Sequence, residues 1–153
     1  MSVHEITIHV YPTDCDMLGH VNHATMITFL EHARWALIET HMAARDFMRG
    51  GAWSVVRHVD ISYHAQSLPG EDLVIRSGLL SVGRTSFRIR QEVRKGRADG
   101  QLAADATIAF VCVDREGRPV AVPAEWSAMF PRWPEDAGVA TPDTASAGGR
   151  RRA

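Results

Sequence analysis

Cysteine is nearly absent from this chain: Cys15 and Cys112 are its only two in 153 residues. Two thiols so far apart make neither a disulfide framework nor a zinc-type pair, so they read as buried thiols of a reducing compartment. An excess of charge is lacking as well. Seventeen basic residues against eighteen acidic ones leave a formal net charge of −1, so the summed charge draws neither nucleic acid nor an anionic membrane. Neither partner is expected. No apolar run approaches the roughly 20 residues that cross a bilayer, and the opening "MSVHEITIHVYPTD" has no cationic stretch leading into an apolar one. The expectation is a soluble, cytoplasmic protein. Phosphate-cradling glycine loops and the G-x-S-x-G elbow of serine hydrolases are also missing. What is there is 45% hydrophobic content, enough for one globular domain with its own core.

Residues 3 to 11, "VHEITIHVY", alternate apolar and polar with Ile6, Ile8 and Val10 on one face, the period of a half-buried strand. The stretch "PTDCDMLGHVN" then collects proline, aspartates, glycine and asparagine and predicts irregular backbone. From about 23 to 42 the spacing changes. Met26, Leu30, Ala33 and Leu37, joined by Phe29 and Ala36, recur at helical intervals, with Asn22 as the N-cap. After Gly50 and Gly51, strands are predicted over 53–68, 73–82, 86–95 and 101–113, separated by the turns "PGED", "GRT" and "GRADG". In 86–95, Phe87, Ile89, Gln91 and Val93 share one face, and Arg88, Arg90, Glu92 and Arg94 the other, which predicts one wet side. Residues 101–113 are apolar at both parities and predict cover on both faces. The tail 134–153 is rich in Ala, Gly, Pro, Ser and Thr without aromatics, and is expected to be disordered, with its "RRR" solvated. The domain is therefore 1–133. An antiparallel sheet of about five strands around one helix makes an α+β domain, and apolar strand surface left uncovered predicts a second copy in a two-fold dimer.

The stretch "DCDMLGHVNHATMITFLEHAR" resembles the signature of hotdog-fold thioesterases of the 4-hydroxybenzoyl-CoA thioesterase and acyl-CoA thioester hydrolase family. Asp14, Asp16, Gly19, His20, Val21 and Asn22, then Glu31, Ala33 and Arg34, stand at the motif's positions. The segment "DISYHAQSLPGEDLVI" is similar to the family's second strand and turn, so the likeness spans residues 5 to about 130. It implies a hotdog fold, a five- to six-stranded antiparallel sheet wrapped around one long central helix. It also implies dimers or dimers of dimers, an active site at the dimer interface, acyl-CoA as substrate, and no cofactor. Asp16 matches the catalytic carboxylate, and His23 the position whose backbone N–H faces the thioester oxygen. Asp14 matches a position that is not usually the catalyst.

Chemistry gives these positions a reason. Hydrolysis of a thioester needs an attacking group and donors for the oxyanion, and a helix N-terminus presents unpaired N–H groups with partial positive charge. Asp16 is expected to act as nucleophile, through an anhydride, or as general base for water; the sequence leaves both open. As a plain loop aspartate it would cap a turn or the helix. Gly19 is a backbone device for positive φ or close substrate approach, and with Asn22 it is placed among the substrate-binding residues. Glu31 is expected along the acyl pocket, its alternative being a surface ion pair with Arg34. Arg84, Thr85 and Ser86 suit CoA phosphates, or else belong to a solvated strand face. The side chains of His20 and His23 stand either as proton donors to the leaving thiolate or as loop hydrogen-bonders. Their H-x-x-H spacing on a loop is not that of a metal site, and no metal is expected. Two alternatives to acyl-CoA hydrolysis remain. One is hydrolysis of an acyl-carrier-protein thioester, with the Arg-rich strand docking the carrier; the other is a non-catalytic acyl-CoA-binding module.

Overall fold

A computed structural model of the protein describes residues 2–134, so the expected disordered tail lies outside the described residues apart from Pro134. The strands are β1 (His4–His9), β2 (Trp53–Tyr63), β3 (Asp72–Val82), β4 (Ser86–Lys95) and β5 (Leu102–Val113). The helices are α1 (His23–Glu39), α2 (Ala44–Arg49) and α3 (Ala124–Met129), and a 3-10 turn spans Pro12–Asp14. The strands form one antiparallel sheet in the order β1-β3-β4-β5-β2. Hairpins join β3 to β4 and β4 to β5, because "GRT" and "GRADG" supply the short polar turns that antiparallel neighbours need.

α1 lies across one face of the sheet, the hotdog arrangement. Met26, Phe29, Leu30, Ala33 and Leu37 project from one side of the helix into the core. There they join Leu73, Ile75, Leu79, Ile89, Val93, Ile108 and Phe110. Full burial of an aliphatic side chain such as Leu30 or Ile75 contributes about 1.5–3 kcal/mol. The helix stops at Glu39, short of 42, because the Thr40 hydroxyl donates to the Leu37 carbonyl at 2.6 Å and caps the last turn. β2 ends at Tyr63 rather than 68, since the amides of His64 and Ala65 both turn to the Ala103 carbonyl. This early exit sends residues 64–71 toward the loop before α1.

The outer face of the sheet differs from the expectation. Arg90 and Glu92 are buried at 7% and 5% exposure, so the side of β4 expected to be wet is wet only at Ser86 and Arg88. Burial is possible because Glu92 is ringed by guanidinium groups: Arg94 at 2.9 Å, Arg76 at 3.3 Å and Arg90 at 3.6 Å. The Trp133 ring lies over Arg76 and Arg90. Residues 131–133 reach this place by bonding alongside β3, Leu79 N–H to Pro131 O and Trp133 N–H to Leu79 O. Gly78 permits that approach, for a Cβ there would stand 3.1 Å from the Trp133 nitrogen. On β5 the helix-facing positions are closed, while the outward ones beyond Ala103 are half-buried, so the cover expected on both faces is complete on one only among the described residues.

Candidate active site

The loop between Cys15 and Val21 is a small closed turn. These two residues pair as an isolated antiparallel bridge, the Gly19 amide donates to Asp16 O at 3.0 Å, and the Asp16 amide donates to His20 O at 3.1 Å. Gly19 sits at φ 82°, a left-handed conformation that a side chain disfavours. Within this turn the Asp16 carboxylate is held from two sides. Oδ1 accepts from the Leu18 amide at 2.9 Å, and Oδ2 accepts from Asn22 Nδ2 at 3.3 Å.

Asn22 is the N-cap, as its sequence position predicts, with Oδ1 accepting from the Ala24 amide at 2.9 Å. Its own carbonyl takes the Met26 amide. Among the described residues nothing accepts from the amides of His23 and Thr25, so donors at the positive end of α1 stay available. Asp14 is spent on structure: its carboxylate accepts from the Tyr11 amide and its carbonyl from the Asn22 amide.

The segment leaving β2 closes the opposite wall. Val21 N–H donates to Ser67 O at 2.8 Å, and the Tyr63 hydroxyl donates to the His23 carbonyl at 2.8 Å. Desolvation raises the Tyr63 pKa, so the hydroxyl remains protonated near neutral pH. The result is a cleft of about 360 Å³ lined by Asp16, His20, His23, Met26, Tyr63 and His64, among others. His64 is oriented by Asp105, with Nε2 2.8 Å from Oδ2. Cys15 adjoins the cleft, but desolvation, with Asp14 and Asp16 beside it, raises its thiol pKa. That disfavours the thiolate.

Asp16, Gly19, Asn22 and His23 are therefore brought together, with His20 on the same cleft. Glu31 stands two turns farther along α1, exposed, and forms no ion pair with Arg34 among the described residues. Arg84, Thr85 and Ser86 occupy the β3–β4 turn at the other end of the sheet. Ser86 aligns with Val111, whereas Tyr63 aligns with Ala104, so about 23 Å of β5 separates them at roughly 3.3 Å per residue. Within one subunit they do not join the cleft. Among the described residues no group of three or more His, Cys, Asp or Glu is placed to hold a metal ion.

Tyr63, His64 and Asp105 were not singled out from sequence. "SYHA" reads as a strand continuing, and only the end of pairing with β5 turns it toward the helix.

The geometry agrees with kinship. Residues 10–136 match the family model of the thioesterase-like superfamily. The chain belongs to this superfamily. It is 32% identical over 99 residues to the long-chain acyl-CoA thioesterase FadM of Escherichia coli K12, covering 65% of this chain and 74% of that one. With the acyl-CoA thioester hydrolase YbgC of Escherichia coli O6:H1 it shares 30% identity over 125 residues, 80% of this chain and 92% of the other. Among solved structures, YbaW, a probable thioesterase from Escherichia coli, superposes with a TM-score of 0.72 at 28% identity, covering 82% of this chain and 94% of its own. The loop and α1 of this superfamily member thus lie inside the matched region, and so do all five strands except β1.

Proposed function

We propose that the protein is an acyl-CoA thioesterase, which takes acyl-CoA and water to a carboxylic acid and free CoA. One observation carries the reading: the Asp16 carboxylate and the unpaired amides that open α1 border a single cleft, joined by Asn22. A thioester carbonyl lying against the His23 amide has its oxygen polarised as negative charge grows on it, while Asp16 faces the carbonyl carbon. Asp16 either removes a proton from the attacking water or attacks directly to form an anhydride that water then opens. In both routes the electron pair of the C–S bond leaves with the CoA sulfur. Names of the curated relatives, acyl-CoA thioesterase and acyl-CoA thioester hydrolase, support the same reaction.

CoA is favoured over a carrier protein because the basic strand is largely spent. Arg90 and Arg94 pair with Glu92, leaving Arg84 and Arg88 exposed for an acidic partner. A binding-only module has no use for a carboxylate that shares a cleft with unpaired helix amides. The active unit in this reading is a homodimer, alone or doubled. β2 is an eleven-residue edge strand with Val55, Val56 and Tyr63 exposed, and a long edge strand carrying apolar side chains in water invites pairing with another strand. Two-fold antiparallel pairing of β2 with its copy would bring the partner's 84–86 turn toward this subunit's Asp16 cleft, where it could meet CoA phosphates. A cytoplasmic site of action fits two free thiols and, among the described residues, no helix long and apolar enough to cross a membrane.

Thiol release from short, long and aromatic acyl-CoAs tests the reading, with wild type and Asp16→Asn side by side. Turnover by wild type and a loss of at least about 100-fold in the folded variant are expected. Equal rates for the two proteins would remove Asp16 from the mechanism, and a folded but inactive wild type would point to a carrier-protein substrate or a binding module. Light scattering should return twice the chain mass or a multiple of it; a monomer would remove the shared site.

A further inference from the structure

Between α1 and β2 there is an opening, bridged at one end by the Tyr63 hydroxyl on the His23 carbonyl. Two cavities lie in that opening, one at each end. The first is the Asp16 cleft, between His23 and Met26 of α1 and Tyr63 of β2. The second, of about 100 Å³, lies between Glu31, Arg34 and Trp35 of α1 and Ser54 and Val56 of β2, floored by aromatic rings that include Phe110. Most of its wall is apolar, and Arg34 is the buried charged residue in it.

Arg34 is 9% exposed. Its Nη1 donates to Gln91 Oε1 at 2.9 Å, and its guanidinium lies over the Phe110 ring at 5.4 Å. No carboxylate pairs with it among the described residues, and its remaining N–H groups have no partner there. Burial lowers its pKa to about 10, opposed by Glu31, so it is charged at neutral pH. The unused N–H groups open onto the cavity, and a ligand that displaces water from them loses affinity unless it accepts from them. Gln91 is itself fully committed, donating through Nε2 to Leu30 O and Ser77 Oγ. That bonding fixes Gln91 Oε1, and through it Arg34, against the cavity wall.

We infer that this second cavity holds the far end of the acyl chain and that Arg34, with Glu31 at the rim, selects acyl groups carrying a distal hydroxyl. The inference rests on the thioesterase reading of the Asp16 cleft. A hydroxyl oxygen accepts from Arg34 and its proton is donated to Glu31, so one neutral group satisfies both. A distal carboxylate would meet the Glu31 charge, and a methyl end would leave the guanidinium unpaired. The distance sets the length: α1 rises about 1.5 Å per residue, so His23 and Glu31 stand about 12 Å apart along the axis, the reach of roughly ten extended carbons. The Arg34 guanidinium shares the Gln91 amide with the Leu30 carbonyl, one turn nearer the helix start, and so serves a depth near Glu31.

The test compares ω-hydroxydecanoyl-CoA with decanoyl-CoA by thiol release. Wild type is expected to favour the hydroxylated substrate by at least about tenfold in kcat/KM, the scale of one well-made hydrogen bond to a charged donor. Arg34→Met should bring the ratio of the two substrates toward one, and Arg34→Lys should retain part of the preference. Equal wild-type kcat/KM on both substrates would overturn the inference and leave the thioesterase reading standing, and that comparison needs no variant to fold. A ratio unchanged in folded Arg34→Met would overturn it as well. Hydrolysis of neither substrate, nor of any shorter or aromatic acyl-CoA, would overturn both readings.

Discussion

Asn22 and Asp16 are coupled by a single side chain that does two jobs. Asn22 Nδ2 donates to Asp16 Oδ2 at 3.3 Å while its Oδ1 accepts from the Ala24 amide at 2.9 Å. The residue that caps α1 also aims the loop carboxylate, so the two halves of the proposed site are set relative to each other by one amide group.

Replacing Asn22 separates these jobs. Asn22→Ala loses the cap and the carboxylate's partner, and is expected to cost about 1 kcal/mol in stability together with a drop in turnover. Asn22→Asp keeps a capping oxygen but sets two carboxylates face to face. Its stability in denaturant should fall less than that of the alanine variant while thiol release falls at least as far. Full activity in Asn22→Asp would show that the contact with Asp16 does not matter.

Gly19→Ala tests the turn itself. An added Cβ meets nothing within 4 Å, so the cost is the backbone alone at φ 82°, about 1–2 kcal/mol. Thermal unfolding should show that loss, and turnover should fall because the Asp16 carbonyl and the Leu18 amide belong to the same turn.

Gln91 is the center of a buried polar cluster joining α1 to β3 and β4. Gln91→Leu removes acceptor and donors at once and leaves the Leu30 carbonyl, the Ser77 hydroxyl and the Arg34 guanidinium without it. Chemical denaturation should report a loss of about 2–4 kcal/mol. A change below about half a kcal/mol would mean that water replaces the amide.

Trp133→Ala uncovers Arg76, Arg90 and Glu92 on the outer face and empties a site where the ring is 6% exposed. About 3 kcal/mol of destabilisation is expected from equilibrium unfolding. Because Glu92 then faces water, the stability of the variant should depend more on salt than that of wild type.

Much of this was legible before any coordinates. The alternation of Ile6, Ile8 and Val10, the helical recurrence of Met26, Leu30, Ala33 and Leu37, and the glycine-bearing turns each express a local period, and each element forms where that period predicts it. Element ends were less legible, because they depend on partners: β2 stops where β5 ceases to pair, and α1 where the Thr40 hydroxyl closes the last turn. The wet face expected on β4 failed for a similar reason. Arg90 and Glu92 alternate as exposed residues do, and nothing near them in sequence announces that Trp133 will cover them.

The chain by itself determined the order of strands and helix, the cap at Asn22 and the placing of Asp16 just ahead of a helix start, because these follow from steric and hydrogen-bonding preferences within a few residues. Only the tertiary structure decided that Tyr63 and His64 complete the Asp16 cleft, that the 84–86 turn stands at the far end of the sheet, and that Arg34 is buried with donors unspent. Whether a polar side chain is solvated, paired or left waiting for a ligand is set by groups distant in sequence, and that information exists only once the chain has folded.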